Sequence, residues 1–238
     1  MKRVRIRNRR LGRHLQVLRK IKKIQAHPLL YHIHKKYGIS KKTLFYTKEY
    51  GPRSNVPGTI LKESLRMLLF ASVLSSLGGL SLESIKPLLL SVMPLVILLP
   101  ALSDMIGDYG IIFSSRFSTM LHEGKVRGTW WNNRELRKLL AQVMLIAMLT
   151  ASASSLAAIA ISWASGYGLT SSVALKIAAI SLLDTVFLVS VLFLISVMAG
   201  IHYFKKGEDP NNFLIPITTS VADFGNMILL SVLVILFL

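Results

Sequence analysis

The chain has 238 residues, of which 52% are apolar and 17% charged, and it contains no cysteine. A mean hydropathy of +0.52 is too high for a water-soluble domain, in which about 25% of residues carry charge. The absence of thiols excludes disulfide scaffolds and thiolate metal sites.

Lys and Arg outnumber Asp and Glu by 29 to 11, and residues 1–53 hold 17 of those bases against one acid, Glu49. The chain therefore divides into a basic cytosolic segment, 1–54, and a nearly neutral apolar body, 55–238. The segment is not a cleavable signal, because no apolar core follows its charged start. Val4, Ile6, Leu11, Leu15, Leu18, Ile21 and Ile24 recur partly at helical spacing, which predicts a basic amphipathic helix from about Gly12 to Gln25. Three roles fit it: a solvated tail that sets topology, adhesion to the heads of membrane lipids, and nucleic-acid binding. No nucleic-acid reader motif is visible, so no specific nucleic acid is expected as a partner. His27, His32 and His34 cluster in HPLLYHIH, with no neighbouring acid or cysteine to complete a metal site.

After a Pro- and Gly-rich linker at 51–58 come five apolar segments. They run from about Leu61 to Leu82, Pro87 to Leu121, Leu139 to Ala164, Ser171 to Tyr203 and Phe213 to Leu238. Glu63 and Arg66 stand near the start of the first. A membrane span needs about 20 apolar residues, and each segment supplies them. The fold class is therefore all-α, a polytopic membrane protein of five transmembrane helices.

Arg127, Arg134, Arg137 and Lys138 lie between spans two and three, and Lys205 and Lys206 between four and five. The loops after spans one and three carry only Lys86 as a base. The positive-inside rule then places the N-terminus in the cytosol and Leu238 outside, with the plasma membrane as the expected location.

The second segment, 35 residues, would extend about 52 Å as one helix. Pro94, Pro100, Gly107 and Gly110 predict that it is broken or strongly tilted. The third is rich in small residues over 150–162, which predicts close helix packing.

Asp104, Asp108, Asp184 and Asp223 fall inside predicted spans, where each carboxylate costs about 3 kcal/mol or more. Such acids mark a cation or proton path, unless they serve as buried hydrogen bonders or pair with Arg116 or Lys176. Asp104 and Asp108, four apart, share a helix face and repel unless a cation lies between them or one is protonated. In the fifth span Asn212, Pro216, Thr219, Asp223 and Asn226 follow at intervals of 4, 3, 4 and 3, the period of a single helix face. Pro216 has no N–H, so the carbonyl of Asn212 is free to turn to water or an ion. A stripe of oxygens with a carboxylate suits a hard divalent cation. No His or Cys lies near, which argues against zinc or copper.

Two passages carry a resemblance. Residues 99–126, with Pro100, Ala101 and Leu102, Gly107 before a polar residue, Ser115–Arg116, Ser118 and the Gly124 turn, resemble the second helix of the MgtE-type magnesium channel and transporter family. They are closest to the versions in its eukaryotic solute-carrier relatives. Residues 209–230, with Asp209–Pro210, Pro216, the run Thr218–Ser220 and Asp223, resemble its fifth helix. The resemblance implies a homodimer with a pore lined by helices two and five of both subunits. It implies that Asp223 holds a largely hydrated Mg2+ on the dimer axis and that the Thr219 carbonyl helps form the filter. Three positions depart from the family: Asp108 replaces a usual Asn, Ile112 a bacterial Gln, and Asp104 a common Gly. The basic segment stands where bacterial members carry acidic magnesium-sensing domains.

The expected site residues are Asp223, Thr219, Asp108, Asp104, Asn226, Asn212 and Asp184, and the expected cargo is Mg2+. Alternatives are Na+ as a coupling ion in an exchanger, or half of a heterodimer with a paralogue. No enzyme is expected. An intramembrane aspartyl protease needs Gly-x-Gly-Asp, but this chain has Met105 at the first glycine and lacks the Tyr-Asp signature.

Overall fold

The computed structural model describes residues 28–38, 56–126, 132–206 and 209–238. Among these residues the chain forms seven helices and no strand. They are α1 (Pro28–Tyr37), α2 (Val56–Ser84), α3 (Lys86–Ser91), α4 (Met93–His122), α5 (Arg134–Ala164), α6 (Ser171–Lys206) and α7 (Pro210–Phe237). Helices α2, α4, α5, α6 and α7 are long and apolar enough to cross a membrane. The protein is an all-helical membrane protein with five spans. The basic helix over 12–25, His27, most of the 51–58 linker and Arg127 lie outside the described residues, as do the side chains of His34, Glu63 and Arg66.

Helix ends follow local chemistry. The Asn133 side chain accepts from the backbone N–H groups of Glu135 at 3.0 Å and Leu136 at 3.3 Å, capping α5. Asp209 caps α7 by accepting from the Asn211 N–H at 3.0 Å, with Pro210 in the first turn, where no N–H is needed. Gly124 follows α4 and Gly166 follows α5, at φ of 67° and 85°, a left-handed turn that costs glycine little.

The break expected in the second segment is present, at the first of the two interrupting prolines. It falls at Val92, between α3 and α4, where Pro94 sits in the first turn of α4. Pro100 lies inside α4, and the helix continues through Gly107 and Gly110 to His122. A proline removes one backbone hydrogen bond, and packed neighbours tolerate that loss in a membrane helix.

Helices α4, α6 and α7 pack on one another and form the centre of the molecule. Leu98, Leu102 and Ile106 of α4 meet Ile177, Ile180 and Leu188 of α6 and Ala222 and Leu230 of α7 in one core. A second core joins Phe113 and Phe117 of α4 to Val143 and Ala147 of α5 and Phe193 of α6. The small residues of α5 pack as expected: Ala147, Ala151, Ser155, Ala158 and Ser162 are all buried on one stripe. Helix α2 packs chiefly against α7. Its approach is close, because a side chain at Gly78 would meet the Met227 sulfur at 2.8 Å and the Phe224 Cα at 3.2 Å.

Candidate functional site

Helix α4 has one packed face and one open face. Leu102, Ile106, Tyr109, Phe113 and Phe117 are buried. Asp104, Asp108, Ile112 and Arg116, each four residues after the last, are exposed in the single chain. At 1.5 Å per residue, Asp104 and Asp108 stand roughly 17 and 22 Å along a helix of about 45 Å. Both carboxylates therefore lie at mid-membrane depth on an uncovered face.

Asp223 comes to the same region from α7. It is half-buried, and the Ser75 hydroxyl of α2 donates to its Oδ2 at 3.4 Å. Asp104 is near enough to act on it electrostatically. No cation pairs with Asp104, Asp108 or Asp223 among the described residues, and neither Arg116 nor Lys176 bridges to an acid there.

The polar stripe of α7 straddles the edge of the core. Thr219 is half-buried, and its hydroxyl donates to the Ile215 and Pro216 carbonyls, at 2.9 and 3.2 Å. Asn212 is half-buried near the start of the helix, and Pro216 is buried. Asn226 is buried, and its amide N–H donates to the Ser103 hydroxyl of α4 at 2.5 Å. Its amide oxygen has no hydrogen-bond partner. The stripe thus offers its middle, Thr219 and Asp223, to the open side and turns Asn226 inward.

Asp184 is set apart from this group. It is 0% exposed, on the α6 face that carries Ile177, Ile180 and Leu188, and neither carboxylate oxygen has a hydrogen-bond partner.

Ser75 and Ser103 were not singled out from sequence. Ser75 lies in the run Ser72, Ser75, Ser76, Gly78, Gly79 of α2, small residues of the kind that reads as a packing surface. Its partner is 148 residues away, so only the fold reveals the polar contact.

Among the described residues no group of three or more His, Asp or Glu side chains could enclose a metal ion. The site is a loose set of oxygens on an open face. Such a set suits a hard cation that keeps its waters and is held through them, rather than one stripped and caged.

The profile of the MgtE family, described as divalent cation transporter, matches residues 99–233, more than half of the chain and the whole of the α4-to-α7 site. Comparison with curated proteins and with solved structures finds no match.

Proposed function

From the premise that this chain belongs to the MgtE family of divalent cation transporters, we propose that it carries Mg2+ along a path lined by α4 and α7, with Asp223 holding the hydrated ion. The observation that supports this reading is the trio Asp104, Asp108 and Asp223, carboxylates without cationic partners at the open side of two membrane-spanning helices.

A carboxylate facing lipid at that depth costs about 3 kcal/mol or more. A face with three of them is stable only against water, a cation or a second protein surface. A second copy of the chain, set with its α4 and α7 against the first, encloses that face and doubles the negative charge around one axis. The carboxylates then raise the local concentration of cations and neutralise the ion inside the membrane. Mg2+ releases water reluctantly, so the oxygens of Asp223 and the Thr219 carbonyl contact its first-shell waters. Asp104 and Asp108 extend the negative field along α4, and Asn212 marks the far end of the α7 stripe. The distribution of bases supports a cytosolic N-terminus and a C-terminus outside, and the plasma membrane is the proposed location.

The test is Mg2+ flux into proteoliposomes, for wild type beside Asp223→Ala and Asp223→Asn, with and without an opposing Na+ gradient. Wild-type flux follows the Mg2+ gradient alone, Asp223→Ala abolishes it, and Asp223→Asn, of equal size and uncharged, loses most of it. Undiminished flux in Asp223→Ala overturns the assignment. Flux that requires opposing Na+ makes the protein an exchanger.

A further inference from the structure

Helix α4 is about 45 Å long against a hydrocarbon core of about 30 Å, so its last turns stand at headgroup depth. There a cavity of about 830 Å³ opens between α4 and the first turns of α5. Three cations line it, Arg116, Lys125 and Lys138, against two carboxylates, Glu123 and Glu135. Its deeper wall is apolar, formed by Ile112, Val143 and Ile146.

Two of the cations are engaged. Lys125 meets Glu123 at 2.6 Å, and that hydrogen bond holds its ammonium charged above the usual lysine range. Lys138 meets Glu135 at 3.5 Å. Arg116 makes no ion pair among the described residues. A guanidinium presents a planar fork of donors that matches two phosphate oxygens at once. An unpaired fork beside an apolar wall, about 12 Å past mid-membrane on a side chain long enough to reach outward to the lipid phosphates, has the chemistry of a phospholipid site. The excess of cations on the rim favours a headgroup with no positive charge of its own.

We propose that this cavity binds one anionic phospholipid, with its phosphate on Arg116 beside Lys138 and its acyl chains along Ile112, Val143 and Ile146. None of Asp104, Asp108 and Asp223 lines it, but Ile112 and Arg116 continue the α4 face of Asp104 and Asp108, so the lipid sits beyond the stretch around the acids that a second copy encloses. None of its lining residues belongs to the basic segment at 1–54, the other part of the chain with an excess of positive charge.

The experiment is native mass spectrometry of the full chain with phosphatidylglycerol and with phosphatidylcholine of matched acyl chains. Wild type retains one phosphatidylglycerol per chain in preference to phosphatidylcholine. R116Q and K138Q each lower that preference about fivefold, the weight of one cation near a lipid surface. R116K keeps the charge without the fork and falls between wild type and R116Q. A variant with Lys2, Arg3 and Arg5 changed to Gln keeps the preference. Equal retention of the two lipids by wild type, an unchanged preference in R116Q, or its loss in the Lys2, Arg3, Arg5 variant overturns the proposal. If R116Q does not fold, K138Q carries the test, since Lys138 stands at the rim with its side chain 54% exposed.

Discussion

Four aspartates of identical chemistry have two different environments here. Asp104, Asp108 and Asp223 reach the open side of α4 and α7, where water or a cation can meet them. Asp184 is fully buried on α6 with neither oxygen bonded. Replacing an unpaired buried polar group with an apolar one of similar volume is often neutral or stabilising. Asp184→Leu is therefore expected to melt at or above the wild-type temperature in purified protein. A drop of several degrees would mean that the carboxylate holds something in place. Asn226→Ala should act oppositely, because it removes a hydrogen bond to the half-buried Ser103 hydroxyl, at a cost of about 1 kcal/mol. The sequence placed all four acids in spans, but alternation along a helix does not say which neighbour covers each face. The α7 stripe sets Asp223 apart in the sequence, whereas nothing there shows that Asp184 is enclosed.

At the scale of elements, the five long helices were legible from apolar length, and the α7 stripe from its 3- and 4-residue spacing. The break before α4 was legible too, though not which of four residues would cause it. Pro94, Pro100, Gly107 and Gly110 are all potential interruptions, and only Pro94 stands where a helix starts. Gly110 has a different task, which is to bring α4 against α7. A Cβ there would lie 2.9 Å from the Thr218 Cβ, which is backed by its own helix. Gly110→Val should therefore push α4 from α7, destabilise the fold by about 1–3 kcal/mol and misplace Asp104 relative to Asp223. Thermal unfolding and Mg2+ flux should fall together. The cap of α5 makes a smaller contribution: Asn133→Ala should cost about 1 kcal/mol with flux preserved, read in the same two assays.

At the scale of the whole molecule, the proposed dimer determines where two copies meet. The chain has no cysteine, so single replacements give clean probes. With Asp108→Cys, on the open face of α4, mild oxidation should yield a disulfide-linked dimer. Trp163→Cys and Leu156→Cys, exposed on α5, should not. Cross-linking of the α5 positions alone would place the axis on the opposite side of the bundle. Helix α2 exposes Leu61, Leu69, Phe70, Val73 and Leu80, apolar residues that match lipid on one flank while Gly78 and Ser75 hold the other flank to α7.

That attachment also bears on how the protein is made. Helix α2 docks chiefly on α7, and the contact from Ser75 to Asp223 waits for 148 further residues. At about 5–20 residues per second, that is an interval of roughly 7–30 s. Throughout it α2 resides in the bilayer without its partner, anchored only by its apolar surface. Nascent chains arrested before residue 210 should therefore hold α2 loosely, and release of the completed α7 should lock it. Asp223 acquires its serine neighbour only once α7 is made, so a chain cut before α7 lacks both the polar stripe and the surface on which α2 docks.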